Sequence, residues 1–454
     1  MVHSGSRAKR LLLLEFNELC PDLVDQFIGE DILPNFKRLR DQSETFITYT
    51  NEAELEPWIQ WVTVHTGVPL AMHGIRDLDE AEKLEYETFW DAMHDENVLL
   101  MSPMNVKFRR NDRSVFMPDP WAASQAPSDE VQPFFRFVRS AVTGHARRAG
   151  VGARDVAGAA RFLATHGLSL GSVAGAARQL WQERFGAKDV KWRRATILDR
   201  LLWDVFAHYW RGPARPRVGI MFSNATAHYQ HKYWAHHDPS TFELKPQPQE
   251  IAAYGDAIRF GYRAHDALIG KALKLADDDT AVVLCTALSQ QPMHDYESRG
   301  GKAMFIPTDY PALMAAVGAP TGVRDEALMA EESWLHFGND DEGARALAAV
   351  VAARTSDGRP LLKVRGFDGR SFIVGCAVLA GEVDPSTRIV NERGEATAWF
   401  DELFMRMGTV TTAKHHPEGI LWVADPKAGP SAQTARLPLT AVRGRLEQAV
   451  SLAA

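Results

Sequence analysis

The sequence is poor in cysteine, which narrows the classes of protein to which it can belong. Only three cysteines, Cys20, Cys285 and Cys376, occur among 454 residues, and no two of them form a C-x-x-C pair. This spacing argues against a disulfide framework and against a cysteine-based zinc knuckle. We therefore expect reduced thiols and a cytoplasmic protein.

Long apolar runs are also absent. Near the N-terminus, basic residues are followed by only four leucines, Leu11 to Leu14, before Glu15 and Asn17 interrupt the run. The core of a signal peptide is longer than this, and a membrane span needs about 20 apolar residues. We expect a first β-strand at this point, a soluble chain and no membrane partner.

An excess of positive charge is missing as well. The formal net charge is -7, so the chain as a whole does not attract a polyanion, and we expect no nucleic-acid partner. Hydrophobic residues make up 45% and charged residues 24% of the sequence, which is typical of a globular protein. A chain of 454 residues is longer than one hydrophobic core normally organises, so we expect a large α/β domain with a substantial insertion or a second lobe.

Short apolar runs that alternate with helical patterns predict an α/β fold. Buried strands are predicted at residues 11–16, 98–101, 217–222 and 281–286, with a further short strand at 371–374. Helices are predicted at residues 22–31, after Pro34, and as one continuous helix at 248–275. The last helix joins two apolar strands, which indicates a parallel βαβ crossover.

The pattern divides the chain into five predicted parts. These are three pieces of one core (1–127, 213–304 and 406–454), a helical insertion that forms a cap (128–212) and a peripheral α/β segment (305–405).

The predicted insertion is rich in basic residues. Arg147, Arg148, Arg193 and Arg194 could guide an anionic substrate. A solvated helical face explains these residues equally well.

Polar side chains follow the predicted strands, at the positions where open α/β sheets bind ligands. The segments are E-F-N-E-L (15–19), residues 54–75, N-A-T-A-H-Y-Q-H-K-Y-W (224–234), A-L-S-Q-Q-P (287–292) and K-H-H-P-E-G (414–419).

Together these segments resemble the alkaline-phosphatase superfamily, specifically its type I phosphodiesterase and nucleotide-pyrophosphatase branch. That branch opens with a strand ending in D-G, then a proline and L-P-N; the residues here are Asn17, Pro21 and Leu33-Pro34-Asn35. The later blocks correspond to Trp61, Thr66, Gly67 and His73-Gly74-Ile75; to Ala227, His231 and Trp234; to Ser289 to Pro292; and to His416 to Gly419. The resemblance implies an alkaline-phosphatase-like central sheet, mostly parallel and flanked by helices, with a helical cap insertion.

The departures from the family pattern concern its metal ligands. The family holds two divalent ions with three Asp and three His, and it uses a Thr or Ser nucleophile. The replaced ligand positions are Asn17, Ala227, Gln290 and Gln291. By resemblance, His231 and His416 remain as ligands, and the nucleophile position falls at Glu56 or its neighbour Leu55.

The remaining polar residues define a candidate site. We predict that His231 and His416, helped by His228 and Asn17, hold a single divalent ion, zinc or manganese. Glu56 and Glu15 are the candidate catalytic groups, since Glu15 lies two residues before Asn17 and can project from the same face of the strand. The predicted pocket residues are Gln290, Gln291, Trp61 and Tyr233.

Each of these residues also has a structural explanation. His228 and His231 are three apart, a spacing that is common for packed pairs on a helix. Glu56 precedes Pro57 and can serve as a turn or capping carboxylate. The glutamines can fix a loop by hydrogen bonds, and the aromatic residues can be part of the core.

The leading functional hypothesis is an atypical metal-dependent hydrolase or transferase that acts on a phosphate, phosphodiester or sulfate ester, with a small anionic substrate. One alternative is a pseudoenzyme that binds an anionic ligand or a protein partner. Another is a biosynthetic enzyme of the same fold with non-hydrolytic chemistry. The replaced ligands favour the alternatives, and the two retained histidines favour the first hypothesis.

Overall fold

The computed structural model describes residues 9–93, 95–109, 113–122, 124–146, 150–186, 190–299, 301–328, 331–408 and 410–450, so Arg147 and Arg148 lie outside the described residues. The strands are β1 (Arg10–Phe16), β2 (Glu44–Tyr49), β3 (Val98–Met101), β4 (Val115–Met117), β5 (Val218–Ser223), β6 (Thr280–Cys285), β7 (Ser289–Pro292), β8 (Phe305–Pro307), β9 (Arg324–Ala327), β10 (Ser333–His336), β11 (Arg354–Thr355), β12 (Leu362–Arg365), β13 (Ser371–Cys376), β14 (Arg388–Val390), β15 (Ala396–Trp399), β16 (Phe404–Arg406), β17 (Ala413–His416), β18 (Glu418–Ala424) and β19 (Ala435–Pro438). The helices are α1 (Pro21–Gly29), α2 (Pro34–Asp41), α3 (Pro57–Thr66), α4 (Leu70–His73), α5 (Gln132–Ala146), α6 (Ala153–Thr165), α7 (Leu170–Phe185), α8 (Ala195–Arg211), α9 (Ala225–His237), α10 (Pro248–Tyr254), α11 (Ala257–Leu275), α12 (Tyr310–Val317), α13 (Asp340–Ala352), α14 (Phe400–Leu403) and α15 (Val442–Ala449).

The central sheet has eight strands in the order β19-β2-β18-β6-β1-β5-β3-β4. All neighbouring pairs are parallel except those of β18, which runs antiparallel to both β2 and β6. Seven strands therefore end at the same side of the sheet, here called the carboxyl edge, and β18 begins there. The predicted mostly parallel sheet is confirmed.

Strand β1 lies at the centre of the sheet, between β5 and β6. Leu12 and Leu14 pack into the apolar cluster on one face, and Leu11 and Leu13 into the cluster on the other. Helices cover both faces, and a strand that is buried on both sides has no polar alternation, which explains the unbroken leucine run. The predicted crossover from β5 to β6 is confirmed, with β1 inserted between them.

Helix α8 packs directly on the sheet. The rings of Phe206 and Trp210 lie over β5 at Gly219, where an added Cβ would be only 2.7–2.8 Å from their atoms. The last helix of the segment 128–212 therefore belongs to the layer that covers the sheet. The described residues of this segment are helical or loop, as predicted, and the role of α5 to α7 as a cap stays a prediction.

The helical region 248–275 differs from its prediction. The apolar stripe predicted one continuous helix, but the structure has α10 and α11, with Gly255 between them. Gly255 ends α10, and a Cβ there would lie 2.7 Å from the carbonyl oxygen of Ile251. Because glycine is a poor helix former and this backbone has no room for a side chain, the helix breaks at this residue.

The segment 305–405 forms a smaller lobe around its own apolar cluster, with an antiparallel sheet in the order β12-β13-β10-β9. Glu326 on β9 forms an ion pair with Arg139 on α5, with 3.1 Å between Oε1 and Nη2. Arg365 on β12 forms an ion pair with Asp77 of the core. The lobe is thus joined by charge pairs to both the helical segment and the core. No described helix is long and apolar enough to cross a membrane.

The close approach of α8 to Gly219 predicts the effect of a small substitution. We expect Gly219→Ala to lower the free energy of unfolding by about 1–3 kcal/mol, because the added methyl group overpacks the site. Gly444→Ala is the control, since no atom lies within 4 Å of its added Cβ and alanine favours the helix α15. Urea unfolding of the two variants measures the difference, and equal midpoints would contradict the packing of α8 on β5.

A buried carboxyl group follows β4. Asp119 is 3% exposed; its Oδ1 accepts a hydrogen bond from the backbone N–H of Trp121, at 2.9 Å, and its Oδ2 has no hydrogen-bond partner among the described residues. Burial, reinforced by the nearby charge of Asp79, raises the pKa of Asp119 to about 7. The folded state therefore holds this proton at pH values where the unfolded chain has lost it.

This pKa makes stability depend on pH. Since the pKa of Asp119 is higher in the folded state, its contribution to stability is fully present below about pH 4 and is lost as pH rises through 7. We expect Asp119→Asn to match the unmutated protein near pH 4 and to exceed it in stability at pH 8, by up to about 4 kcal/mol. Urea unfolding of both proteins at both pH values tests this. A difference in the free energy of unfolding that is the same at pH 4 and pH 8 would contradict the prediction.

Candidate functional site

Four loops meet at the carboxyl edge of the sheet. Glu18 follows β1, His231 lies on α9 just after β5, and Gln290 lies on β7 after β6. His415 lies on β17, directly before β18, and because β18 is antiparallel its start reaches the same edge. The topology therefore brings together residues that are separated by almost 400 positions in the sequence.

Glu18, His231 and His415 form the candidate metal centre. Oε2 of Glu18 lies 3.0 Å from Nε2 of His231 and 3.4 Å from Nε2 of His415, and the three possible ligand atoms all lie within 4.8 Å of one another. Two ligand atoms that each lie about 2 Å from one tetrahedral ion are about 3.3 Å apart. Two His and one Glu are also a known ligand set of catalytic zinc, which keeps one position open. The donor set thus fits a single ion.

Backbone carbonyl groups orient both imidazole rings. Nδ1 of His231 donates to the carbonyl oxygen of Ala413 at 3.2 Å, and Nδ1 of His415 donates to that of Leu55. In the neutral ring, a proton held on Nδ1 leaves the lone pair on Nε2, which is the arrangement that metal-binding histidines use. Both Nε2 atoms face Glu18.

The surroundings of Glu18 are crowded with donors. Nε2 of Gln290 donates to the same oxygen, Oε2, that both imidazoles approach, while Asn17 donates to Oε1 at 2.8 Å. A carboxylate oxygen has two lone-pair directions, so three nitrogen donors exceed what Oε2 accepts. A cation in place of the two imidazole protons removes this conflict. Oε1 of Gln290 is buried and has no hydrogen-bond partner in the described part of the chain, so a further oxygen ligand lies close by.

The three ligand residues also influence one another's charge. Burial alone would raise the pKa of Glu18, but the charges and hydrogen bonds of His415 and His231 outweigh it and hold that pKa well below its usual range. Burial would lower the pKa of His415, but the Glu18 carboxylate raises it to about 9. Glu18 is therefore ionised at neutral pH. A metal ion must displace the proton from Nε2 of His415 in order to bind there.

The backbone of Glu18 has an unusual conformation. Its φ is 58°, in the left-handed region that glycine favours, and its side chain is almost fully buried. Glu18 stands where the family's D-G pattern has its glycine. Sequence reasoning missed this residue. A usable signal was present, since a glutamate at a position where the family has glycine predicts a strained backbone, and backbone strain is often found at functional sites.

His415, and not the predicted His416, is the histidine of this segment that faces the cluster. Strand β17 pairs antiparallel with β7, and His415 lies opposite Gln290. Successive side chains of a strand point to opposite sides, so His416 points away from the cluster, on the same side as Lys414, which pairs with Asp295 in the solvent-facing region. Sequence reasoning recognised the His-His segment but did not have the register that distinguishes its two members.

Glu56 lies beside the cluster, as predicted. It precedes the first turn of α3, and its Oε2 is 3.6 Å from Nδ1 of His415. The side chain is 41% exposed, so a substrate can reach it, and partial burial raises its pKa although His415 acts in the opposite direction. His415 thus stands between two carboxylates, Glu18 and Glu56.

Glu15, Asn17 and Trp61 lie below this edge. Glu15 is fully buried, and its Oε1 is 2.7 Å from Nε2 of His65 on α3, so its carboxylate pairs with this histidine and is not part of the cluster. Trp61 donates from Nε1 to Oδ1 of Asn17 at 2.9 Å. Asn17 in turn donates to Glu18, so Trp61 and Asn17 position a ligand residue.

The remaining predicted residues lie around the cluster. Gln291 donates to the carbonyl oxygen of His415 at 3.1 Å and so supports the strand that carries this ligand. His228 is half-buried on α9, one turn before His231. Tyr233 is buried in the helix layer, where its ring stacks on Tyr254.

A family comparison assigns the chain. The model of the type I phosphodiesterase / nucleotide pyrophosphatase family matches residues 11–306. The chain belongs to this family. The phosphodiesterase and pyrophosphatase activities that give this family its name are hydrolase activities, and the α/β fold with a mostly parallel central sheet expected from the sequence is confirmed. The comparison with curated proteins found no match.

Several solved structures match the chain over almost its whole length. Phosphonoacetate hydrolase from Sinorhizobium meliloti 1021, in complex with phosphonoformate, is 12% identical, with a TM-score of 0.46 and coverage of 98% of this chain and 97% of that one. An inactive murine ectonucleotide pyrophosphatase / phosphodiesterase 5 in complex with AMP is 8% identical, with a TM-score of 0.41 and coverage of 98% and 96%. A mutant of the alkaline phosphatase PafA is 10% identical, with a TM-score of 0.44 and coverage of 99% and 97%. With TM-scores below 0.5, these likenesses establish nothing about the chemistry of this chain.

The cluster predicts which residues control metal content. We expect about one zinc or manganese ion per chain in protein purified without chelator, and at least about 100-fold weaker binding in Glu18→Gln, His231→Ala and His415→Ala, since each loses a direct ligand. Elemental analysis and titration with zinc measure both quantities. His416→Ala is the matched control and should bind like the unmutated protein. Loss of metal in His416→Ala but not in His415→Ala would reverse the assignment.

Proposed function

We propose that this protein is a single-ion, metal-dependent hydrolase of a small phosphodiester or related anionic ester. The observation that carries the proposal is the convergence of the Nε2 atoms of His231 and His415 on one oxygen of Glu18. Each ring is held by a carbonyl group at its Nδ1. When bound, the ion would supply Lewis-acid chemistry, by polarising a phosphoryl oxygen and lowering the pKa of water.

Glu56 is the proposed catalytic residue. Its carboxylate stands at the position where the family pattern has the nucleophile, it is exposed enough to contact substrate, and its pKa is raised. A raised carboxylate pKa makes it a better base at neutral pH, since a proton taken from water is held more firmly. We assign Glu56 the role of general base toward water. In the nucleophilic alternative, its carboxylate oxygen attacks phosphorus, the ester P–O bond breaks, the alcohol leaves, and water then cleaves the resulting acyl phosphate.

Cationic side chains beside Glu56 support an anionic substrate. The charge of Lys302 acts on Glu56 and lowers its pKa, against the larger effect of burial. Arg365, on β12 of the smaller lobe, also lies within the electrostatic reach of Glu56. These groups can attract the phosphoryl oxygens of an ester toward the base.

A second candidate function, ligand binding without catalysis, is favoured by one observation. Without an ion, the cluster is already held together by charge, because Glu18 keeps His415 protonated up to a pH of about 9. A chain that had lost catalysis could retain this buried pair for stability alone.

Replacement of Glu56 tests the catalytic proposal. We expect Glu56→Gln to lower kcat for an aryl phosphodiester by about 10²–10⁴-fold, with unchanged metal content, because the amide removes the base but leaves the three ligands. Glu54→Gln is the matched control, since Glu54 is exposed and paired with Arg76. Steady-state kinetics with an aryl phosphodiester, an aryl phosphate and an aryl sulfate identify the preferred ester.

The outcomes separate the two candidate functions. Turnover that depends on Glu56 and on bound metal supports the hydrolase. Bound metal without turnover of any of the three esters, or no bound metal at all, supports the binding protein. Turnover that survives both chelation and Glu56→Gln would place the active site elsewhere.

A further inference from the structure

Helix α7 exposes an apolar face to solvent. Leu170, Val173, Leu180, Trp181 and Phe185 are between 47% and 88% exposed, and their spacing places them on one side of the helix. Side chains of this size are seldom left in water in such a group, and a contiguous exposed apolar patch marks an interaction surface.

The opposite side of α7 contacts the rest of the protein through two buried polar residues, Ser172 and Gln179. Gln179 is buried and donates to the carbonyl oxygen of Val190 at 2.7 Å. Ser169 caps the N-terminus of the helix by accepting from the N–H of Ser172, and its own N–H donates to Asp204 on α8 at 2.9 Å. The orientation of the apolar face is therefore determined by contacts on the other side.

The segment of the sequence that contains α7 is strongly basic. Residues 131–212 contain 14 Lys and Arg but only five Asp and Glu, although the whole chain has a net charge of -7. On α7 itself, Arg178 and Arg184 are exposed beside the apolar residues, and the guanidinium of Arg184 lies 5.3 Å from the ring centre of Phe185. By helical spacing, Arg178 borders the apolar side chains and Arg184 lies among them. The exposed side of α7 thus combines large apolar and basic groups, the two kinds of side chain that bind a membrane interface.

The charge decides between two possible occupants of the face. A second copy of this chain, joined by a two-fold axis, would bring the same basic segment against itself, and like charges would repel. An anionic lipid surface attracts the basic groups and also accepts the apolar side chains. Tryptophan, here Trp181, is favoured at the level of the lipid headgroups.

We propose that α7 is a peripheral membrane-binding element that docks the protein on an anionic lipid surface. Leu180, Trp181 and Phe185 enter the boundary between headgroups and acyl chains, and Arg178 and Arg184 contact lipid phosphates. This binding does not involve the metal centre. It revises the expectation, drawn from the sequence, that the protein has no membrane partner.

Flotation of the full-length protein with vesicles tests this proposal. We expect binding to vesicles of equal parts phosphatidylcholine and phosphatidylglycerol, with much weaker binding to pure phosphatidylcholine and a loss of binding at high salt. The double variant Trp181→Ala, Phe185→Ala should bind at least about tenfold more weakly, because two large side chains no longer enter the interface. Phe367→Ala is the matched control, since Phe367 is also exposed but belongs to the smaller lobe.

Three results would overturn the proposal. They are the absence of binding to either vesicle, equal binding by the double variant, and binding that is independent of anionic lipid. Analytical ultracentrifugation tests whether a second copy of the chain covers the face instead. A dimer of the unmutated protein that becomes a monomer in the double variant, without vesicle binding, would show that α7 joins two copies of the chain. Circular dichroism of the double variant, with an unchanged melting temperature, ensures that lost binding is not lost folding.

Discussion

The antiparallel strand β18 is the constraint on which the site depends. In a wholly parallel sheet, a residue that precedes a strand lies at the opposite edge from one that follows a strand. Because β18 is inserted in reverse between β2 and β6, the segment before it reaches the carboxyl edge, and His415 meets Glu18 and His231. The pairing of β17 with β7 then determines which side chains of that segment turn inward.

Glu18 carries the largest energetic cost in this arrangement. A buried carboxylate loses its hydration, at a cost of several kcal/mol, and a left-handed backbone adds strain of about 1–3 kcal/mol. Donors from three loops offset this cost. The family pattern places an aspartate at the position of Ala227, which has no carboxylate to offer. Glu18 supplies a carboxylate to the same cluster from a different strand end, so under the proposed metal assignment the ligand set is rebuilt and not simply depleted.

The fold could be predicted from the sequence much better than the site. The leucine run of β1 and the apolar segment of β6 are local patterns, and both strands were found within one or two residues of their predicted bounds. The helix break at Gly255 was missed because the apolar stripe continues through it. The choice of His415 over His416 needs the register between two strands distant in sequence, and no local pattern contains it. Glu18 was overlooked because family positions directed attention to its neighbour Asn17.

The hydrogen bond from His415 to the carbonyl oxygen of Leu55 connects the proposed metal ligand His415 with the segment that carries the proposed base Glu56. Leu55 immediately precedes Glu56, so the same peptide segment that presents the proposed base also holds a ligand ring in place. A displacement of this segment, for example by a bound substrate, would therefore change the position of the His415 ring together with that of the proposed base. If the proposed ion binds, its affinity would then depend on the conformation of the segment that carries Glu56.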